Sequence, residues 1–279
     1  MRILFPTDYS ANAQNAFQYA CHLAKVLGAS ITIFHSYQVP VLSTDSDTDT
    51  LMEKSDKIYQ TQLTRLKSFI KDFVTHDTAL PIEEITIDYK VQEEQVVDAI
   101  VQLAPAYNYI IMGTQGDSNR LEKTWGSTTS QVIEKVKIPV LAIPENAKYH
   151  PIKKIMLAED FENDDQVPIE TLNAISQLVN AHVYILHVSE TRDFYSSNRK
   201  KNYQKIKYEH ILKLHNFSFE FYNDGYNKKE SIESVIKGKN IDMLAMMVRD
   251  VEKVGHLYKE SMTRSIVLDS KIPIFVFHS

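Results

Sequence analysis

Short apolar runs and amphipathic stretches alternate along the first half of the chain, and this alternation predicts strands and helices in succession. The run Ile3–Pro6 has the length of a buried strand, and so has Ser30–His35. Between them, apolar side chains recur at helical spacing from Ser10 to Leu27. We predict a helix there, with Ser10 as its N-cap and Gly28 as its C-terminal stop.

The remaining elements of this half complete an α/β domain. We predict a helix at about Leu51–Thr75, a strand at Ile85–Val91, a helix at Glu94–Leu103, a strand at Tyr109–Met112, a helix at Ser127–Val136 and a strand at Pro139–Ile143. All strands but the third are apolar on both faces, which is typical of a parallel sheet covered by helices. The third strand alternates apolar and polar residues and is expected at an edge.

The second half of the chain repeats the first in the same order. Residues 2–10, RILFPTDYS, correspond to residues 154–162, KIMLAEDFE, and His35 falls in register with His187. An internal repeat of this length indicates two copies of one domain. We predict domains at residues 1–145 and 152–279, each an open parallel five-stranded sheet of Rossmann-like type with helices on both faces. The short junction, Pro144 to Pro151, should hold them close together.

Composition excludes several classes of function. The net charge is −5, with 36 acidic against 31 basic residues, which argues against nonspecific binding to nucleic acid. The single cysteine, Cys21, allows no internal disulfide framework and fits a reducing compartment. No apolar run is long enough for a membrane span or a signal peptide. We therefore expect a cytoplasmic protein without a membrane partner. The sequence contains no group of Cys, His or Asp residues at metal-ligand spacing, so we predict no metal site.

A glycine-rich segment between the fourth strand and the following helix is the strongest chemical signal. Gly113, Gly116 and Gly126 are three of only 7 glycines, and with Ser127 they form the pattern G-x2-G-x9-G-S. Glycine lets the backbone approach a ligand closely, and the first amides of a helix point outward without internal partners. The pattern favours a phosphate-binding loop, and the alternative is an ordinary strand-to-helix connection.

These features together resemble the universal stress protein family over the whole chain, as two fused copies. The resemblance is carried by PTDYSANA after the first strand, the histidine that ends the second strand, and the glycine loop followed by IPVLAIP. It implies a nucleotide at the carboxyl ends of the strands. The implied ligand is ATP, with ADP or AMP as alternatives and Mg²⁺ as an optional companion, and the implied function is regulatory, in the stress response.

The resemblance also implies which residues of this sequence contact the nucleotide. Asp8 would contact the adenine or ribose, the Ser36 backbone the base edge, and Met112 the ribose. The full implied set is Pro6, Thr7, Asp8, Ser36, Met112, Gly113, Gly116, Gly126, Ser127 and Thr128. For Asp8, a second interpretation is that it caps the first helix, and both roles are compatible.

The second copy departs from the glycine pattern. Gly113, Gly116 and Gly126 correspond to Met247, Asp250 and Glu260, whereas Ser127 keeps its counterpart Ser261. A like-charge pair about 5 Å apart at an effective dielectric near 20 repels by roughly 3 kcal/mol. Two such pairs remove most of the ~8 kcal/mol of a micromolar complex. We therefore predict that only the first copy binds nucleotide. The resemblance implies that the two copies pair through their fifth strands as an internal pseudo-dimer. Whether two chains also form a homodimer is left open by the sequence.

No catalytic residue is predicted. The sequence has no G-x4-G-K-[ST] motif, no histidine in the glycine loop and no Ser-His-Asp arrangement. The leading hypothesis is an ATP-binding regulatory protein. The alternatives are a structural or partner-docking tandem protein without nucleotide, and an enzyme with slow ATP hydrolysis or nucleotidyl transfer.

Overall fold

The chain forms two compact α/β units, residues Met1–Glu145 and Asn146–Ser279, in the computed structural model. The structure describes residues 1–39, 48–76, 79–114, 127–159, 166–188, 206, 208–209, 216–222, 228–248 and 270–278. None of the helices in these ranges is both long enough and apolar enough to cross a membrane.

The first unit alternates strands and helices as predicted. Its elements are β1 Arg2–Pro6, α1 Ala11–Leu27, β2 Ser30–Tyr37, α2 Thr48–His76, β3 Ile87–Glu93, α3 Val96–Leu103, β4 Tyr109–Gly113, α4 Ser127–Lys135 and β5 Val140–Ile143. The strands are parallel in the order β3-β2-β1-β4-β5. The third strand therefore lies at an edge of this unit's sheet, as its alternating sequence predicts.

The second unit repeats this architecture. Its described elements are β6 Lys154–Ala158, α5 Gln166–Val179, β7 His182–Val188, β8 Phe217–Tyr222, α6 Lys228–Lys239, β9 Met243–Val248 and β10 Ile274–His278. Its strands are also parallel, in the order β10-β9-β6-β7-β8, so that β6 takes the place that β1 has in the first unit. The prediction of two tandem parallel five-stranded domains is confirmed.

Local capping sets both ends of α1. The Ser10 side chain accepts a hydrogen bond from the Ala13 amide at 3.1 Å, which satisfies one of the unpaired amides of the first turn. Gly28 ends the helix with φ 58°, in the left-handed region that glycine adopts without a steric penalty. Both predicted caps are confirmed.

The core of the first unit lies between α1 and the central strands. Phe5 of β1 and Phe17 of α1 are both fully buried, with ring centroids 5.2 Å apart. Cys21, on the same helix, is fully buried as well. Full burial of a Phe side chain stabilises a fold by roughly 1.5–3 kcal/mol. This packing fixes α1, and with it the turn that precedes α1, against the carboxyl end of β1.

Several predicted boundaries differ from the structure by one to three residues, and the start of the third strand shows the reason most clearly. The third strand begins at Ile87 and not at Ile85, because residues Ile82–Glu84 form a 3-10 turn. The Ile85 amide closes this turn by donating to the Ile82 carbonyl at 3.4 Å. Pairing with β2 starts only at Ile87, opposite Ile31. A short apolar run does not reveal whether its first residues close a turn or begin the sheet.

Candidate functional site

The carboxyl edge of the first unit contains a reversal of strand order. From β1 the sheet extends to β2 and β3 on one side and to β4 and β5 on the other. Parallel sheets bind ligands outside the carboxyl ends of their strands at such a reversal. The segment Thr7–Ser10 follows β1, and Gly113 ends β4. Since β1 pairs with β4 in parallel, both segments lie at this edge.

Hydrogen bonds hold the segment after β1 at nearly every residue. The Thr7 amide donates to the Phe34 carbonyl at 2.9 Å, and the Tyr9 amide donates to Thr7 Oγ1 at 3.1 Å. The Ser10 amide donates to Asp8 Oδ1 at 3.1 Å. Thr7 is buried, whereas Asp8 is exposed. Ser10, and not Asp8, is the N-cap of α1, and Asp8 instead accepts a hydrogen bond within the turn that precedes the helix.

Tyr9 contacts three other side chains at this edge. Its ring centroid is 4.3 Å from that of His35, at the end of β2, and 4.5 Å from Cζ of Arg65, on α2. Phe69, one turn further along α2, meets Tyr9 edge-on at 5.2 Å. Sequence reasoning missed this cluster, because no local pattern links a residue of α2 to the turn after β1.

The ionisable groups of this cluster are shifted by burial. Burial raises the pKa of Tyr9 to about 12, and the positive charge of Arg65 opposes part of that rise. Burial lowers the pKa of His35, and Arg65 lowers it further, whereas its hydrogen bond to Thr7 and the charge of Asp8 raise it. Both side chains are therefore neutral near pH 7.

Gly113 is tightly enclosed at the end of β4. A Cβ at this residue would lie 2.7 Å from Asn12 Nδ2 and 2.9 Å from Asn12 Cγ. The Gly113 carbonyl accepts a hydrogen bond from Thr129 Oγ1 of α4 at 2.9 Å. Asn12 and Thr129 are 4% and 2% exposed. A side chain on residue 113 would have to displace the buried Asn12 amide group, which occupies that space.

The enclosure of Gly113 also places the start of α4. Helix α4 begins at Ser127, and the bond from Thr129 ties its first turn to the end of β4. The amides of a first helical turn have no partners within the helix and attract anions. Thr128 is half-buried in that turn. Gly116, Gly126 and the side chain of Ser127 lie outside the described residues.

The predicted residues at the base side lie at the same edge. Pro6 and Met112 are buried within their strands, and Ser36 is half-buried near the end of β2. Ser36 Oγ donates to the Glu94 carbonyl, which fixes its side chain. Backbone groups alternate in direction along β2, so the amide and carbonyl of Ser36 point to the β1 side, like the Phe34 carbonyl. They lie beyond the Thr7–Phe34 bond and can face a ligand.

The second unit conserves one contact of this edge and changes others. His187 Nδ1 donates to the Glu159 carbonyl at 2.9 Å, as His35 Nδ1 does to the Thr7 carbonyl at 2.9 Å. Glu159, which is 6% exposed, thus stands where the first unit has Thr7. The pairing of Ile155 with Met243 matches that of Ile3 with Tyr109.

This register places Met247 at the position of Gly113, as the repeat predicts. The other changed positions, Asp250 and Glu260, lie outside the described residues, as does Ser261. Across the described ranges, His, Cys, Asp and Glu side chains form no group of three that could hold a metal ion.

Comparison with known proteins places the chain in a family. The sequence model of the universal stress protein family matches residues 1–144. Universal stress protein Slr1230 from Synechocystis sp. is 22% identical over 291 residues, which cover 99% of each protein. A universal stress protein structure from Archaeoglobus fulgidus has a TM-score of 0.72 at 18% identity and covers 99% of this chain and 98% of that one.

A protein of unknown function from Pseudomonas aeruginosa has the same fold, with a TM-score of 0.61 at 13% identity, over 99% of this chain and 92% of that one. These structures are similar over nearly the whole chain, in agreement with two tandem domains. Since the family match covers residues 1–144 of 279, more than half of the sequence, the chain belongs to the universal stress protein family.

Proposed function

We propose that the chain binds an adenine nucleotide, with ATP as the first candidate, at the carboxyl edge of the first unit. The observation that carries the proposal is the enclosure of Gly113. Its backbone is held between Asn12 of α1 and Thr129 of α4, at the reversal of strand order. The glycine segment that starts there leads into the first turn of α4, which offers its amides to phosphate oxygens.

Different residues at this edge would contact different parts of the nucleotide. The exposed carboxylate of Asp8 can accept hydrogen bonds from ribose hydroxyls or the adenine amino group. The backbone of Ser36 would contact the base edge, and Pro6, Thr7 and Met112 would line the pocket. Gly113, Gly116, Gly126, Ser127 and Thr128 would hold the phosphates, with Mg²⁺ as an optional partner of the phosphates.

Universal stress proteins of known structure include complexes with cAMP and with dAMP. Those ligands belong to those proteins, and the proposal for this chain depends on its own residues. The second unit has Met247 in place of Gly113 and a buried carboxylate, Glu159, in place of Thr7. The second unit thus lacks the glycine that starts the phosphate segment in the first unit, and a larger side chain replaces Thr7 at the end of its first strand. We propose one nucleotide per chain and a regulatory role for its occupancy.

Calorimetric titration of the purified chain with ATP, ADP and AMP tests this proposal. The expected result is saturable binding at a stoichiometry of one. An acid extract of protein purified without added nucleotide, separated by chromatography, would show which nucleotide is retained. Absence of heat with all three ligands, together with an extract free of adenine, would refute the proposal and favour the structural or docking alternative. Release of phosphate with Mg²⁺ would support slow hydrolysis.

A further inference from the structure

Three side chains from separate elements meet beside the proposed nucleotide site. Arg65, Tyr9 and His35, called the Tyr9 stack below, have Tyr9 at their centre. The Tyr9 ring centroid is 4.5 Å from the guanidinium carbon of Arg65 and 4.3 Å from the His35 ring centroid. Phe69 packs edge-on against the same ring at 5.2 Å. The turn after β1 is thereby joined to both α2 and β2.

The backbone of Tyr9 needs this support. Its φ is 67°, in the left-handed region that residues other than glycine seldom adopt. Such a conformation persists where the surroundings over-determine it, and it is frequent beside ligands. Here the support comes from the ring contacts and from the Tyr9 amide, which donates to Thr7 Oγ1 at 3.1 Å.

His35 also contacts Thr7, the residue before Asp8, and so connects the Tyr9 ring to the backbone of this turn. Its Nδ1 lies 2.9 Å from the Thr7 carbonyl oxygen, and a carbonyl only accepts, so Nδ1 carries the proton. Two charged groups act on this ring, Arg65 from α2 and Asp8 from the turn, and the phenol of Tyr9 contacts it. Burial and Arg65 lower the pKa of His35 and keep the ring neutral near pH 7.

The exposure of Arg65 argues that the stack does more than fill the core. Arg65 is exposed on α2, and a planar guanidinium over an aromatic ring gives orientation at a solvent-facing site. Asp8, one residue from Tyr9, is also exposed, and its Oδ1 already holds the Ser10 amide at 3.1 Å. With Thr7 and Tyr9 both anchored, the Asp8 carboxylate has a fixed position at the ligand edge.

We propose that the Tyr9 stack is a positioning device for nucleotide binding: Arg65 holds Tyr9 against His35, His35 holds the Thr7 carbonyl, and Asp8 is thereby preset for the ligand. This inference rests on the proposed function and adds Arg65, Tyr9 and His35 to it as positioning residues. Presetting a binding group strengthens affinity, because less order has to be created when the ligand binds.

Variants of Arg65 test the stack, with a neighbour on the same helix as control. Lys67 is exposed like Arg65, but its Nζ lies 5.9 Å from the ring centroid of Tyr89, on the edge strand β3. Lys67→Ala therefore removes the same charge from α2 without touching the stack. For ATP, we expect Arg65→Ala to weaken binding about fivefold, Arg65→Lys to weaken it less, and Lys67→Ala to leave it within about twofold.

Two further readouts separate positioning from simple attraction between Arg65 and phosphate. Uncharged adenosine should lose affinity in Arg65→Ala by a similar factor, because Asp8 serves the nucleoside part. The titration midpoint of His35, followed by NMR and assigned with His35→Asn, should rise in Arg65→Ala and stay unchanged in Lys67→Ala. Unfolding curves confirm that each variant is folded.

Several outcomes would overturn the inference. An unchanged ATP affinity in Arg65→Ala would do so, whether or not the His35 midpoint moves, since the stack would then be structural alone. Weakening for ATP but not for adenosine would assign the effect to charge. A wild-type chain that binds no nucleotide refutes the proposed function and this role with it, and that failure is distinguished because it is seen without any variant.

Discussion

Asn12 lies against Gly113 so closely that a Cβ on residue 113 would come within 2.7 Å of Asn12 Nδ2. Contacts under about 3 Å to a carbon do not occur without displacement of one partner. Asn12 belongs to the first turn of α1, and Gly113 ends β4. The contact therefore couples the helix after Asp8 to the start of the glycine segment, and it joins the two halves of the proposed site.

Substitution Gly113→Ala should damage both stability and nucleotide binding. The added methyl overpacks against Asn12, which costs about 1–3 kcal/mol of unfolding free energy. A displaced Asn12 or Gly113 also moves one wall of the proposed site, so we expect ATP affinity to fall by about tenfold or more. Urea unfolding and calorimetry measure the two effects.

The matched control for this change is Gly238→Ala. Gly238 lies in α6, where a Cβ would meet no atom within 4 Å. Alanine is favoured over glycine in a helix by up to about 1 kcal/mol, so this variant should be as stable as the wild type or more so. Equal behaviour of the two variants would contradict the importance of the Asn12–Gly113 contact.

The lowered pKa of His35 leads us to expect a loss of stability in mild acid. Its folded-state pKa lies below the ordinary value of 6.5, so the unfolded chain binds its proton first as the pH falls. The contribution is complete above about pH 6.5 and is lost as the pH falls from there toward the folded-state pKa. The difference in unfolding free energy between wild type and His35→Asn, measured across this range, should shrink with falling pH. A constant difference would contradict the prediction.

The hydroxyl of Tyr9 should be dispensable. Tyr9 Oη is buried and has no hydrogen-bond partner among the residues that the structure describes. Burying an unsatisfied hydroxyl is unfavourable, so Tyr9→Phe should cost less than about 0.5 kcal/mol or stabilise the fold. ATP affinity should stay within about twofold, because the ring contacts of the stack persist.

An alkaline absorbance titration checks the same residue independently. The pKa of Tyr9 is raised to about 12 by burial, so its ionisation should be missing from the high-pH end of the Tyr9→Phe curve. If that variant instead lost the step expected of an exposed phenol near pH 10, the described burial of Tyr9 would be wrong.

Asp242 should contribute strongly to the stability of the second unit. Its Oδ2 accepts hydrogen bonds from the Lys153 and Lys154 amides, each at 2.8 Å, and its Oδ1 lies 3.1 Å from His150 Nε2. Asp242→Asn removes the charge and one acceptor oxygen, so we expect a loss of about 1–2 kcal/mol in urea unfolding.

Asn108 provides the comparison, because it has the corresponding place in the first unit. Among the residues that the structure describes, its side-chain oxygen accepts one hydrogen bond, from the Arg2 amide at 2.8 Å. Asn108→Asp should therefore change stability much less than Asp242→Asn. Equal effects of the two exchanges would show that the additional contacts of Asp242 contribute nothing.

Much of the fold was predictable because its signals are local. Ser10 and Gly28 mark the ends of α1, and the alternation of apolar and polar residues in the third strand predicted its position at the edge of the sheet. The internal repeat predicted that Met247 takes the position of Gly113 in the second unit, and the strand register of the two units agrees. The start of β3 was wrong, because the choice between turn and strand at Ile85 depends on where β2 can pair.

The candidate site was predictable only for residues with a sequence signature. Asp8 and Gly113 belong to such patterns, and the structure brings both to the carboxyl edge of one sheet. Asn12, Thr129 and Arg65 carry no signature, since asparagine, threonine and arginine at helical positions usually face solvent. Their contacts with Gly113 and Tyr9 appear only in the folded chain.

The amino-acid sequence alone determined the succession of strands and helices, the tandem repeat and the glycine-rich segment, because periodicity, caps and turns depend on neighbours along the chain. The tertiary structure alone decided that Asn12 encloses Gly113 and that Arg65 covers Tyr9. Those contacts join residues far apart in the chain, and they depend on how α1 and α2 pack on the sheet. Packing of distant surfaces is a collective result of the whole core, so no local pattern encodes it.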